Sequence, residues 1–424
     1  MEHALDRIES TYMSDRERSF APMVRRERNL APDPPRESFR YPIFSVDDHL
    51  LEPPDTFMGR LPEKYAARTP RVVQDSDGTD MWLLDDVGVK IGSSNADISW
   101  AHDDRALLEL RFDAIRPGTF RVADRIRDMD ICGIRASLSF PSAVFGFAGW
   151  RFARFKDPDF ALACVRAYND WVLTDWCGAD PERLVPCQVP WLLDAEVAAE
   201  EIRRNAARGF HAVSFSENPE RLGLPSIYTG YWDPFFSACE ETGTVVNLHV
   251  GSSSQVTTPS TQSPQLVIAA LFPLNAISAI VDWTFALVPV KFPALKICLS
   301  EGGIGWLPML FDRLAFLEKH RPVTNDGGLG AVWYGDLRPA EVVLRNFYFA
   351  MFYDPISLTH LHELGVQKNV MVEVDYPHGD SIWPNAQRIL GDQLDTLDPE
   401  TARGLAWENA ATLYQHPIDV FSRH

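Results

Sequence analysis

Eight short runs rich in β-branched and aromatic residues recur along this 424-residue chain, mostly separated by segments of helical periodicity. They are Ile43–Asp47, Arg135–Phe140, Val185–Val189, Ala212–Ser216, Val245–His249, Lys296–Ser300, Phe347–Ala350 and Val370–Val374. Parallel strands cannot be joined by a tight turn and need a long crossover, which a helix supplies. Strand–helix alternation therefore places the chain among α/β folds, and eight repeats suggest closure into a (β/α)8 TIM barrel. Two segments illustrate the helical half: Asp157-Pro158 through Cys177, stopping at Gly178, and Asp194 through Arg208, stopping at Gly209. Both carry apolar residues at helical spacing and end at a glycine.

Three of the eight runs end in residues that bind metals. Phe44-Ser45-Val46 runs into Asp47-Asp48-His49, Val245-Val246-Asn247-Leu248 into His249, and Val370-Met371-Val372-Glu373-Val374 into Asp375. In a strand, residues i and i+2 share a face, so Asp47 and His49 point one way and Asp48 the other. Active sites of (β/α)8 enzymes sit at the carboxyl ends of their strands. Imidazoles with hard carboxylates suit a divalent ion such as zinc or manganese. Taken singly, each strand end also reads as a polar cap that hydrogen-bonds the next loop.

Other residues join the list on chemical grounds. Glu301 follows the sixth run and enters Gly302-Gly303-Ile304-Gly305; it reads either as an acid/base group or as a cap on the following helix. Asp375 continues into Tyr376-Pro377-His378-Gly379-Asp380, where His378 is a candidate proton shuttle. Arg151 and Arg154, in the aromatic loop Phe145–Phe155, suit an anionic planar substrate or simply a packed lid. His360-Leu361-His362 resembles an HxH metal motif but sits in a helical stretch, where i and i+2 diverge, so it reads as a solvated face.

Composition removes other function classes. A formal charge of −19 leaves little to neutralise phosphates, which argues against nucleic acid. The basic cluster Arg25-Arg26-Glu27-Arg28 is broken by acid. No stretch approaches the length of a membrane span, and the first residues lack the charge and apolar pattern of a signal peptide. Six cysteines without CxxC spacing read as reduced, buried thiols, which fits a cytoplasmic protein. Residues 1–40 read as an arm and 41–417 as the barrel domain, with 55–125 inserted over its mouth around a hairpin with an Asp-Gly turn. The stretch around Asn325-Asp326-Gly327-Gly328 reads as a loop near the site.

The segment Asp47-Asp48-His49-Leu50-Leu51-Glu52-Pro53-Pro54 resembles the DxHxxEP opening of the amidohydrolase-related branch of the amidohydrolase superfamily. That branch includes aminocarboxymuconate-semialdehyde decarboxylase and the resorcylate decarboxylases. Asp128-Met129-Asp130-Ile131-Cys132-Gly133-Ile134, Leu248-His249-Val250-Gly251, Ser300-Glu301-Gly302-Gly303 and Asp375-Tyr376-Pro377-His378 match later family motifs in order. The resemblance implies one divalent metal, zinc first and manganese second, held by Asp47, His49, His249 and Asp375. It also implies a homodimer, a small-molecule substrate, and Asp375 as the acid/base group.

Two departures bear on chemistry. Asp47 stands where the superfamily commonly has the first His of HxH, and Glu301 stands where the decarboxylases carry a His that assists protonation. The resulting expectation is a hydrolase using metal-activated water, with Asp375 as base and Glu301 or His378 shuttling the proton. The alternatives are a non-oxidative decarboxylase or hydratase at the same metal, and a barrel without catalysis.

Overall fold

The computed structural model describes residues 7–10, 23–24, 30–76, 78–92, 96–99, 108–260, 262–320, 333 and 336–422. The basic cluster Arg25–Arg28 and the loop around Asn325–Gly330 lie outside the described residues. Eight parallel strands form the central sheet: β1 Ile43–His49, β2 Ile134–Phe140, β3 Leu184–Gln188, β4 Ala212–Phe215, β5 Val245–His249, β6 Ile297–Ser300, β7 Phe347–Met351 and β8 Val370–Val372. They are ordered in space as in sequence. Around them run α1 Val122–Cys132, α2 Pro158–Trp171, α3 Ala195–Ala206, α4 Asp233–Thr242, α5 Phe272–Phe285, α6 Leu307–His320, α7 Pro339–Asn346 and α8 Ala386–Leu394. This is the expected (β/α)8 barrel.

Closure depends on bonds between the first and last strands. The Asp375 amide donates to Asp47 O at 2.8 Å, and His49 N to Tyr376 O at 2.6 Å. Val374 N donates to Ser45 Oγ at 2.9 Å, so a side chain completes what the short β8 ladder leaves open. The seam of the barrel thus runs between the two strands that carry Asp47, His49 and Asp375.

Local chemistry explains the element ends. The Asp157 carboxylate accepts from Phe160 N at 3.1 Å, with Pro158 in the first turn of α2. Asp194 caps α3 through Glu196 N and Val197 N at 2.9 and 3.1 Å. Such caps satisfy amides that the helix leaves orphaned. Helix α1 ends at Gly133 with φ +69°, which turns the chain directly into β2. Beyond Trp171, α2 widens into a π-helical turn over Val172–Trp176 before reaching Gly178.

The segment between β1 and α1 builds a separate small sheet. Strands Arg71–Gln74, Asp80–Leu84 and Val87–Lys90 pair antiparallel in that order. Arg7–Ser10 adds to its edge in parallel with Val87–Lys90, and Met23–Val24 pairs with Leu108–Glu109. Among the described residues no helix is long and apolar enough to cross a membrane. All six cysteines are buried free thiols.

Candidate metal centre

Asp47, His49, His249 and Asp375 meet at the carboxyl end of the barrel, all four fully or almost fully buried. His49 uses Nδ1 to donate to Pro141 O at 3.0 Å, and His249 Nδ1 donates to Val250 O at 2.7 Å. Each Nε2 is then left with its lone pair, the form that ligates a metal. Yet the two Nε2 atoms face each other at 2.9 Å. Two lone pairs do not attract, so this arrangement calls for a cation between them.

The carboxylates complete the set. Asp47 Oδ1 lies 3.2 Å from His49 Nε2, Asp47 Oδ2 lies 3.3 Å from His249 Nε2, and Asp375 Oδ1 lies 3.7 Å from His49 Nε2. A tetrahedral shell with bonds near 2.1 Å has ligand–ligand edges of about 3.4 Å, which these separations straddle. Both oxygens of Asp47, although buried, lack a hydrogen-bond partner among the described residues, and the equally buried Asp375 has His378 Nδ1 at 2.9 Å from Oδ1. Buried charges left unpaired cost several kcal/mol, and a bound cation supplies the missing partner. The donor set therefore fits one divalent cation.

Electrostatics point the same way. Burial lowers His249 to about 3 and His378 to about 4, keeping both imidazoles neutral at pH 7. Burial, reinforced by Asp47 and neighbouring acids, pushes Asp375 far above the usual carboxylate range. A divalent ion would reverse that shift by favouring the ionised form.

Glu301 and His378 stand beside the cluster, with ligand-type atoms within 4.8 Å of Asp375 and of one another. Glu301 Oε2 is 3.7 Å from His249 Nδ1, and burial raises its carboxyl well above the ordinary value. His378 Nδ1 lies 2.9 Å from Asp375 Oδ1, and its ring stacks on His49 at 4.0 Å between centroids. The loop after β2 reaches the centre through Phe147, whose ring lies 4.9, 4.3 and 5.8 Å from those of His49, His249 and His378. Arg151 and Arg154, in the same loop, place their guanidiniums over Trp150 at 4.5 and 4.2 Å. His360 and His362 lie away from the cluster, exposed and paired with Glu363 and Asp398.

Several supporting residues escaped the reading of the sequence. Asp48, turned away from the metal ligands, accepts from Tyr376 N at 2.9 Å and Ser137 Oγ at 2.5 Å. Arg125 of α1 donates to His49 O and to Gly118 O, the latter at 2.8 Å. Tyr376 OH donates to Asp128 Oδ2 at 2.6 Å, and Arg116 grips the same carboxylate at 2.7 and 2.6 Å. Glu52 accepts from Ser142 N at 3.1 Å, tying the loop after β1 to the loop after β2. These contacts hold the strand ends that present the ligands.

A parallel barrel with two imidazoles and two carboxylates buried at its mouth defines a metal-dependent enzyme. Residues 99–415 match the family described as Amidohydrolase, three quarters of the chain, and the chain belongs to that family. Asp47 and His49 precede the matched stretch and are placed by geometry. No curated protein matches the chain. Among solved structures, an amidohydrolase from Mycobacterium avium subsp. paratuberculosis K-10 is 20% identical, with TM-score 0.64 over 90% of this chain and 100% of that one. The 5-carboxyvanillate decarboxylase of Sphingomonas paucimobilis is 18% identical, with TM-score 0.60 over 89% and 100%. A dihydroxybenzoic acid decarboxylase from Polaromonas sp. JS666, with bound manganese and 2-nitroresorcinol, is 16% identical, with TM-score 0.57 over 91% and 100%.

Proposed function

We propose that this chain is a metal-dependent, non-oxidative carboxy-lyase of a small, planar, carboxylated aromatic compound. The observation that carries this reading is Phe147, whose ring packs on His49, His249 and His378 and roofs the centre with an apolar aromatic face. Such a face suits a flat ring stacked at the metal. An apolar surround also favours a carboxylate leaving as neutral carbon dioxide. The fold is shared with decarboxylases of aromatic acids.

Asp47, His49, His249 and Asp375 would hold the ion, zinc first and manganese second. When bound, the ion supplies a positive charge that stabilises negative charge developing on substrate oxygens. In the reaction the C–CO2 bond breaks with its electron pair left on the ring carbon. Carbon dioxide departs and a proton is delivered to that carbon. Glu301, buried and disposed to keep its proton, is the donor in this reading. His378, within the same cluster, passes it the next proton. Arg151 and Arg154 are assigned the substrate's anionic substituents. The buried free thiols suit a reducing cytoplasm, and a homodimer is the proposed assembly.

A second reading, hydrolysis, is favoured by the Asp375–His378 pair at 2.9 Å, a base and a relay for the proton of a water nucleophile. One experiment separates the two. Zinc- and manganese-loaded protein is incubated with carboxylated aromatics in oxygen-labelled water. Carbon dioxide released in step with substrate loss is the expected result. Label entering a product carboxyl or hydroxyl without carbon dioxide would replace it with hydrolysis. Neither signal from metal-replete protein would leave a barrel without catalysis.

A further inference from the structure

Glu373 is fully buried just beyond β8, two residues before the equally buried Asp375. It belongs neither to the ligand set nor to the proton path above. Its Oε2 accepts the backbone N–H of Glu301 at 3.1 Å, and its Oε1 has no partner among the described residues. Glu301 itself has φ +60°, in the left-handed region that residues with a Cβ avoid. A strained backbone persists only where its surroundings over-determine it.

The surroundings here are specific. At Gly302 a Cβ would come within 2.6 Å of the Ala276 Cβ, and Gly303 is also left-handed at φ +59°. Ile304 N donates to Asp354 Oδ1 at 3.2 Å, just beyond β7. The loop after β6 is thus held by two carboxylates from the ends of the next two strands. One of them grips the very residue whose side chain stands 3.7 Å from His249.

We propose that Glu373 is a positioning residue: by accepting the Glu301 N–H it holds Glu301 in the left-handed conformation and aims its carboxyl at the metal ligands. This rests on the reading of Glu301 as proton donor in a carboxy-lyase. A glutamine at 373 can accept the same hydrogen bond, whereas a leucine of similar size cannot.

The test is a double-mutant cycle on metal-loaded protein with 5-carboxyvanillate and 2,6-dihydroxybenzoate as probes. Glu373→Leu should lower kcat about 10- to 100-fold, as a misaimed group does, with KM within about twofold and metal content unchanged. Glu373→Gln should restore most of kcat. Glu301→Gln combined with Glu373→Leu should lose no more than Glu301→Gln alone, because both changes remove one function. Additive losses, or a fully active Glu373→Leu, would overturn the proposal. Glu373→Met replaces the leucine variant should that one not fold.

Crystal structures of the variants give a readout independent of turnover. Glu301 should leave the left-handed region in Glu373→Leu and stay in it in Glu373→Gln; an unmoved Glu301 in Glu373→Leu would sink the idea. If the wild type releases no carbon dioxide from either acid, the carboxy-lyase reading fails, and these structures alone decide the role of Glu373.

Discussion

Two imidazole nitrogens facing each other at 2.9 Å, each with its other nitrogen committed to a backbone carbonyl, carry most of the weight at the residue scale. Removing one ligand should therefore remove the ion and not merely weaken it. His249→Ala and Asp375→Asn should each lower bound metal to background by inductively coupled plasma mass spectrometry. Turnover should fall at least about a thousandfold, the several kcal/mol a metal supplies to a transition state. His360→Ala should leave both unchanged, since an exposed pair with Glu363 is worth about 1 kcal/mol at most. Full metal content in the first two variants would refute the ligand set. Asp47, His49, His249 and Asp375 were legible in the sequence because a run of apolar residues ending in His or Asp is itself unusual. Phe147 and Glu373 were not, because each depends on a neighbour far away in the chain. Phe147 looks like any loop aromatic until the barrel brings the loop after β2 against the ends of β1 and β5. Glu373 acts by accepting an amide 72 residues away, and sequence spacing carries no trace of it.

Elements show a similar division. The eight barrel strands are legible because both faces of a parallel sheet are covered, which leaves short continuous apolar runs. The strand Arg7–Ser10 is not, since its sequence has no β pattern and its pairing with Val87–Lys90 is set by the partner edge. The loop after β4 adds a feature with a measurable signature. Glu217 is buried and accepts from Asn275 Nδ2 at 2.6 Å and Ser253 Oγ at 3.0 Å, which ties this loop to the one following His249. Burial raises its carboxyl to about 7, outweighing the lowering by these donors and by Arg221. The folded form therefore binds a proton between the ordinary carboxylate range and pH 7, where the unfolded chain does not. Stability falls as pH rises through that window, by roughly 3 kcal/mol for this group. In denaturant titrations Glu217→Gln should lose that slope and gain on the wild type at pH 8. An unchanged slope would mean that the carboxyl is not desolvated as the structure has it.

At the scale of the whole molecule, the metal ligands span the seam. Asp47 and His49 come from the first strand and Asp375 from just beyond the last, and the two strands share only a few hydrogen bonds. An ion held by both would lace the barrel where its own ladder is thinnest. Chelation should therefore destabilise the fold, by RT ln(1 + [M]/Kd), about 4 kcal/mol when free metal is a thousandfold above Kd. The size of the effect should depend on pH. Without an ion, burial raises Asp47, and burial with repulsion from neighbouring acids raises Asp375, Glu301 and Glu373, so protons take its place at low pH. As pH rises above the ordinary carboxylate range, the metal-free protein must either keep those protons or bear unpaired charge, and its stability falls. The metal-bound form holds its ligands ionised and is spared that loss. The gap in melting temperature between metal-bound and chelated protein should be wider at pH 8 than at pH 5. Hydrogen exchange should locate the change. On chelation the amides of His49 and Asp375, which bridge the seam, should exchange faster, while those of β4 and β5 should change little. Uniform acceleration around the barrel would mean that the ion stabilises the fold as a whole and does not lace its seam.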